Sequence, residues 1–424
     1  MIASDALRDA RRIAVGVLTC LLAGCATNHV LMPTPAVYTG PNAKPLFADA
    51  SIDSRPPTLD LLFLTDRAPA DSTGGSPYTA ERSRSIAFGS TMIEFTDGKN
   101  LTLGATTELG RFPPIPYPLT EGPAGMRRAP AVVEAHTQAK QRLQAEVARR
   151  LAIASRKEIV LFVHGYRESF KSAAFTMGEL CHFLGREFVC GIFTWPAGSD
   201  RGILFGYDAD RESSEYAVED LVKLIRIIAR TPGLERIHFI AHSRGSDTLA
   251  SALAALSVEA YALKSSPPRE FRIGNIVLIA PDLDGDVAIT KIFKVFSDPD
   301  LPFGGEPEGD AILPPSPGLT LTIYVSRDDK ALATAAWLFG SIARLGLINA
   351  TMFTPDEIET IRRLDVVDII EVRGATDFFG HSYFVSNPNV SADIIARLRY
   401  GLRPNEPGRP LQQIAGPFWR VSAD

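Results

Sequence analysis

The chain has 424 residues, a formal net charge of −5, and 45% hydrophobic and 22% charged residues, the balance of an ordinary globular protein. No basic block interrupts it, so it lacks the electrostatic footprint of a nucleic-acid-binding protein, and none is expected as a partner. Four cysteines in this length exclude a disulfide-built scaffold.

Residues Met1 to Gly24 carry Arg8, Arg11 and Arg12 and then an apolar run from Ile13 to Ala23, too short to span a bilayer as a mature helix. The stretch 1–24 reads as an export signal. Leu22-Ala23-Gly24-Cys25 resembles a bacterial lipobox, which implies cleavage before Cys25 and a lipid on its thiol. The plainer reading is a cleaved signal with a chance cysteine. Ala26 in the next position fits outer-membrane sorting, so the expected location is the bacterial cell envelope, lipid-anchored at the periplasmic face of the outer membrane. Loss of residues 1–24, with three Arg and two Asp, would leave a charge of −6. Cys181 and Cys190 then remain, either bridged, as export permits, or as two buried apolar thiols.

From Thr27 to about Pro57 the chain is rich in Pro and small polar residues and reads as a membrane tether, over 25–57. A strand-like run, Leu59 to Leu64, opens an N-terminal extension, over 58–156. Asp71 to Pro77 is a Ser/Gly loop, Ile86 to Phe95 shows partial alternation, and Pro113 to Pro130 is broken by Pro and Gly. Val132 to Arg156 is an amphipathic helix with Val132, Val133, Leu143, Val147 and Leu151 on or near one face.

The core, over 157–403, alternates strand and helix. Strands are expected at Ile159 to Val163, Phe188 to Trp195, Ile237 to Ala241, Asn275 to Ala280, Leu319 to Val325 and Val366 to Val372. Helices are expected at Ser169 to Leu184, Arg211 to Arg230 and Arg244 to about Val258. This order predicts an α/β fold with a mostly parallel central sheet and helices on both faces. An insertion near 286–318, crowded with Pro, Gly and acidic residues from Asp298 to Gly318, is either a lid or a solvated loop. Beyond it a tail, over 404–424, ends in Phe418-Trp419, whose apolar end can dock back.

Ala241-His242-Ser243-Arg244-Gly245 is a nucleophile-elbow pattern following a strand, with Ala in the first small position. Serine needs a base, itself oriented by an acid, and such elbows take the chain order Ser, acid, His. Among the seven histidines, at 29, 136, 164, 182, 238, 242 and 381, His381 is the one after Ser243. It stands in a loop just past the last predicted core strand. For the acid, Asp329 in Ser326-Arg327-Asp328-Asp329-Lys330 is preferred over its neighbour Asp328. Asp282, one strand earlier, is the rival, with a loop-holding role as its alternative. The oxyanion donors are the N–H of Arg244 and that of Tyr166, after the permissive Gly165. His164 and His242 read as packing or hydrogen-bonding residues, and Arg67 and Arg82 as structural.

Together, Phe-Val-His-Gly-Tyr at 162–166, Phe-Thr-Trp-Pro at 193–196, Asp-Arg-Glu-Ser at 210–213, Ala-His-Ser-Arg-Gly at 241–245, Ala-Pro-Asp-Leu-Asp at 280–284 and Gly-His-Ser-Tyr at 380–383 carry a family resemblance. With Thr65-Asp66-Arg67 and Glu81-Arg82-Ser83, the chain is similar, over about residues 58–400, to a bacterial branch of the α/β-hydrolase superfamily of unknown function, loosely esterase- or lipase-like. The resemblance implies the α/β-hydrolase fold. Members often carry Asn where Arg167 stands and Met where Arg244 stands. Two such cations either favour an acidic or phosphate-bearing substrate or pair with nearby carboxylates.

The expected function is a membrane-anchored serine hydrolase acting on a small-molecule or lipid acyl substrate through an acyl-serine. No cofactor is called for, because metal-ligand spacings and a phosphate-binding Gly-rich loop after the first strand are missing from the sequence. A serine peptidase or thioesterase would use the same residues. The rival of another class is a catalytically silent envelope lipoprotein using the fold as a binding scaffold.

Overall fold

A computed structural model describes residues 29–39, 42–47, 57–71, 75–198, 203–292, 319–339, 344–374, 377, 379–409 and 411–421. The expected export signal, Cys25 and the Asp298 to Gly318 segment lie outside the described residues.

Strands β1 (His29–Val30), β2 (Thr58–Pro69), β3 (Tyr78–Thr96) and β4 (Asn100–Arg111) come first, then a separate ribbon of β5 (Leu119–Gly122) and β6 (Gly125–Arg128). There follow α1 (Pro130–Ile153), β7 (Glu158–Val163), α2 (Phe170–Phe183), β8 (Val189–Thr194), α3 (Ile203–Ile228), β9 (Arg236–His242), α4 (Gly245–Ala262), α5 (Pro267–Phe271) and β10 (Ile273–Ile279). The chain continues with α6 (Gly285–Ile292), β11 (Thr320–Val325), α7 (Lys330–Phe339), α8 (Pro355–Leu364), β12 (Val367–Glu371), α9 (Tyr383–Ser386), α10 (Pro388–Leu398), β13 (Leu411–Ala415) and β14 (Phe418–Val421).

One 12-stranded sheet runs β1-β4-β3-β2-β8-β7-β9-β10-β11-β12-β14-β13. From β2 through β14 every neighbouring pair is parallel. Both margins turn antiparallel, through β3, β4 and β1 on one side and β13 on the other. The alternation of side chains along each strand divides the core in two. Leu62, Leu64, Leu161 and Phe239 face α1, α3 and α4, whereas Leu61, Phe63, Val160, Phe162 and Ile240 face α2 and α10. Strands covered on both faces need unbroken apolar runs, and β7 carries one from Ile159 to Val163. On α1, Leu143, Val147 and Leu151 are buried, each contributing about 1.5–3 kcal/mol.

The structure departs from expectation in several places. Helix α3 begins at Ile203, two turns before Arg211, because Gly206 and Asp208, poor helix formers, mask its start. Part of the expected tether packs on the domain: β1 pairs with β4, and the Tyr38 hydroxyl donates to Phe183 O. The tail docks as strands, with β14 adding in parallel to β12. Cys181 and Cys190 form a disulfide with Cα atoms 6.1 Å apart, joining the end of α2 to β8.

Candidate active site

The parallel strands deliver their C-terminal ends to one edge of the sheet, and the loops there carry the polar chemistry. Ser243 forms the turn between β9 and α4 with φ at +52°, a left-handed conformation costing roughly 1–2 kcal/mol for a residue with a side chain. Three backbone bonds sustain it. Ser243 N–H donates to Ile279 O at 2.9 Å, while its carbonyl accepts from Ser246 at 3.0 Å and Asp282 at 3.2 Å. Two glycines make the crowding possible. A Cβ on Gly245 would lie 2.3 Å from His164 O, and one on Gly165 would lie 2.8 Å from Ser243 Cβ. The His-Gly-Tyr loop thus presses directly against the elbow.

His381 leads into α9 with its Nδ1 2.7 Å from Asp329 Oδ2. Asp329 is 1% exposed, and its other oxygen accepts from Leu332 N–H at 2.9 Å, so the first turn of α7 fixes the carboxylate. Asp377 receives the His381 N–H at 3.1 Å and the Ser382 N–H at 3.3 Å. Lys330 N–H reaches Phe379 O at 2.9 Å and ties the two loops together. Burial presses the His381 pKa down. The hydrogen bond to Asp329 and the charges of Asp329, Asp282 and Asp377 outweigh it, and the net shift is upward.

Asp282 is placed differently. Its Oδ2 accepts from the Tyr207 hydroxyl at 2.8 Å and its Oδ1 lies 3.2 Å from Arg344 Nη1, so it holds α3 and the 344 segment to the loop after β10. Burial, reinforced by the Asp282 charge, pushes the Tyr207 phenol well up. Asp328 accepts from Gly374 N–H at 3.1 Å and steadies the loop after β12.

Between Ser243 Oγ and His381 Nε2 the structure draws no hydrogen bond among the described residues, and such contacts commonly tighten only in the substrate complex. The elbow and the base loop meet through His242. Its ring lies 4.8 Å from the His381 ring, and its Nε2 lies 3.2 Å from the His381 carbonyl.

Tyr166 is half-buried, its ring 5.4 Å from that of Tyr207. Arg244 occupies the position before α4 without a side-chain cap, and its guanidinium is engaged by Asp247 at 2.9 Å and Ser214 at 3.3 Å. Lys291 also reaches Asp247. Arg167 is exposed, while its N–H donates to Asp210 at 3.0 Å. Arg82 contacts Ser213 at 2.9 Å.

Arg67 is 1% exposed and braces the site from below. It donates to Thr194 Oγ1 at 2.7 Å, Ala197 O at 3.0 Å, Glu168 O at 2.6 Å and His164 Nε2 at 3.2 Å. Burial lowers its pKa to about 10, which leaves it charged at neutral pH. His164 Nε2 also accepts from Trp195 N–H at 3.1 Å, while its Nδ1 lies 2.9 Å from Gly165 O. Burial and the Arg67 charge push His164 down to about 4, so it is neutral.

Three acids given no role from sequence, although Asp210 opens the Asp-Arg-Glu-Ser motif, organise these loops. Glu168 holds Gly165 N–H and His242, Asp210 holds Arg167 and Gly198, and Asp377 holds His381. In sequence Glu168 stands like any solvated acid, Asp210 is known only as part of a motif, and Asp377 falls four residues before His381. Among the described residues, no group of three or more His, Cys, Asp or Glu side chains is placed to hold a metal ion. No described helix is long and apolar enough to cross a membrane.

Residues 139–398 match the family model of the alpha/beta hydrolase of unknown function, DUF900. The chain belongs to this family. It is therefore an alpha/beta hydrolase, as the strand order and the elbow already indicated. No curated protein matches it. Among solved structures, a putative hydrolase from Agrobacterium vitis S4 is 16% identical, over 58% of this chain and 88% of its own, with a TM-score of 0.30. A predicted CIB-like hydrolase from Thermoplasma acidophilum is 14% identical over 58% and 88%, with a TM-score of 0.29. The carboxylesterase CesB from Bacillus subtilis is 11% identical over 63% and 100%, with a TM-score of 0.28. These likenesses are too distant to bear on what the family member does.

Proposed function

We propose that the chain is a serine hydrolase that cleaves ester or related acyl bonds through an acyl-Ser243 intermediate, with His381 as base and Asp329 as its orienting acid. The observation that carries this reading is the 2.7 Å contact between His381 Nδ1 and Asp329 Oδ2, set beside a strained serine elbow. Asp329 holds the imidazole with Nε2 free to take the Ser243 proton. Oγ then bonds to the acyl carbon, and the oxyanion draws on the N–H groups of Tyr166 and Arg244. Collapse breaks the bond to the leaving group, which takes the proton from His381. Water, deprotonated by the same base, releases the acid and restores Ser243.

In the same reading the protein is held in the bacterial envelope by a lipid on Cys25. The Cys181–Cys190 disulfide supports export, since such bonds persist in oxidising compartments.

The test is a fluorophosphonate probe and a series of p-nitrophenyl esters of increasing chain length, applied to the wild type and to Ser243→Ala and His381→Ala. Labelling and turnover should vanish in both variants. A folded wild type that neither labels nor turns over would favour the silent scaffold.

A further inference from the structure

The two histidines flanking the elbow and the oxyanion loop are wired in opposite senses. His164 Nε2 receives N–H donors from Trp195 and Arg67, so that nitrogen carries a lone pair and the ring is neutral. His242 faces acceptors on both sides. Its Nδ1 lies 3.3 Å from Glu168 Oε1 and its Nε2 3.2 Å from the His381 backbone carbonyl. A carbonyl oxygen only accepts, and so does an ionised carboxylate.

We infer that His242 is an imidazolium paired with the Glu168 carboxylate, and that this pair positions the base loop against the nucleophile elbow and the oxyanion loop. Two protons on the ring satisfy both contacts at once. Removing one sets a nitrogen lone pair against an acceptor oxygen, and one link opens.

Glu168 is suited to the counter-ion role. It stands at the end of the His-Gly-Tyr loop just before α2, and its Oε1 also accepts the Gly165 N–H at 3.1 Å. Ser172 Oγ donates to Oε2 at 3.4 Å, and Arg67 holds its backbone carbonyl at 2.6 Å. Burial pushes its carboxyl up, but the hydrogen bond and charge of His242, with the Gly165 N–H, bring it down to about 2. The carboxylate is thus ionised whenever His242 is charged.

The pair is in contact with all three loops. Gly165 precedes the donor Tyr166, His242 precedes Ser243, and the carbonyl that His242 grips belongs to His381 itself. The other groups facing His242 are the His381 ring, backed by Asp329 and Asp377, and the Phe384 ring at 4.9 Å. A charge on His242 opposes a second one on His381, which Asp329 offsets. His242 and Glu168 act through the other residues and are positioning residues.

The inference rests on the proposed hydrolase reading for its kinetic consequence and on donor–acceptor chemistry alone for its protonation state. Two measurements on the full chain separate these. Histidine side-chain nitrogen NMR at pH 7 should show a ring protonated on both nitrogens whose signal is lost in His242→Gln or His242→Asn, with His164 as a single neutral tautomer. A neutral His242 at pH 7 would overturn the inference.

With p-nitrophenyl esters, Glu168→Gln should lower kcat roughly 10- to 100-fold, the scale of a small misplacement of reacting groups, with KM within about twofold. Its alkaline limb should move to lower pH, since the imidazolium has lost its counter-ion. In Glu168→Asp, which keeps the charge, the limb should stay in place. A rate loss in Glu168→Gln with the limb unmoved means a merely structural role and overturns the positioning claim. A doubly protonated His242 in a protein with no turnover would sink the hydrolase reading and leave the ion pair standing.

Discussion

Asp329→Asn separates the two candidate acids. The substitution keeps size and one carbonyl oxygen, so the Leu332 N–H bond that begins α7 can survive. It places an amide N–H where the carboxylate met His381 Nδ1 at 2.7 Å. A hydrogen bond to a charged group is worth about 1.5–3 kcal/mol. The larger loss comes from the tautomer: an amide donor favours a lone pair on Nδ1 and a proton on Nε2, which then cannot accept from serine. The expected fall in kcat is about 10³- to 10⁴-fold, or ~4–5.5 kcal/mol. The acid limb should move as well. His381 is raised chiefly by Asp329 against the downward pull of burial, so the limb in Asp329→Asn should lie at lower pH than in the wild type. Asp282→Asn retains an acceptor for Tyr207 but removes the charge paired with Arg344 in a buried ion pair, so its cost should fall on stability, with kcat lowered by less than about tenfold. The assay is the pH dependence of ester hydrolysis, with circular dichroism to verify folding. If Asp282→Asn abolishes turnover while Asp329→Asn stays within threefold of wild type, the acid is misassigned.

Ser243→Gly removes the side chain that makes φ of +52° unfavourable and should raise the urea-unfolding free energy by about 1 kcal/mol while eliminating turnover; an unchanged or lower midpoint would mean that the elbow stores no strain. Asp66 is fully buried, and neither carboxylate oxygen has a hydrogen-bond partner among the described residues; burial, then the charge of Asp220, raises its pKa well above the usual range. The folded state therefore binds more protons than the unfolded one above the ordinary carboxylate pKa of about 3.9, and stability falls as pH rises from there towards the folded value, by up to about 1.4 kcal/mol per unit. Asp66→Asn should lose less stability between pH 4 and pH 8 than the wild type in urea melts; parallel curves would refute an ionisation cost at this site. Cys25→Ser should move the protein from the membrane to the soluble fraction, whereas unchanged membrane association would discard the lipid anchor.

The parallel core was legible because strands covered on both faces carry apolar runs, unbroken from Ile159 to Val163 and interrupted only by His238 from Ile237 to Ala241. The antiparallel margin was not. Strand β4 reads Asn-Leu-Thr-Leu-Gly-Ala-Thr-Thr-Glu-Leu-Gly-Arg, a polar stretch with two glycines that the pairing with β3, rather than local preference, makes a strand. Gly110 is needed there, since a Cβ would lie 2.4 Å from the Phe88 ring, but no local pattern announces such a contact. At the site, chain order pointed to His381 and strand position favoured Asp329, while Asp282 stayed as the rival because it too follows a strand in a polar loop. What distinguishes them is what each faces: Asp282 meets Tyr207 and Arg344, and Asp329 meets His381.

The same contrast explains why the bracing acids escaped notice. Glu168, Asp210 and Asp377 spend their carboxylates on backbone N–H groups of the loops that present Tyr166 and His381. A loop crossing the end of a sheet leaves such donors without ladder partners, and burying them unsatisfied costs roughly 1–3 kcal/mol each. Acids that reach these donors, from within four residues for Glu168 and Asp377 and from α3 for Asp210, remove that cost and fix loop geometry together, so the oxyanion loop and the base loop are rigid for the same reason that they are stable. Arg67 extends this to the layer below. By bonding Thr194, Ala197, Glu168 and His164, it locks the ends of β2, β7 and β8 into one polar node. Loosening any one loop then exposes buried partners on the others, and the reacting groups hold their geometry as a unit.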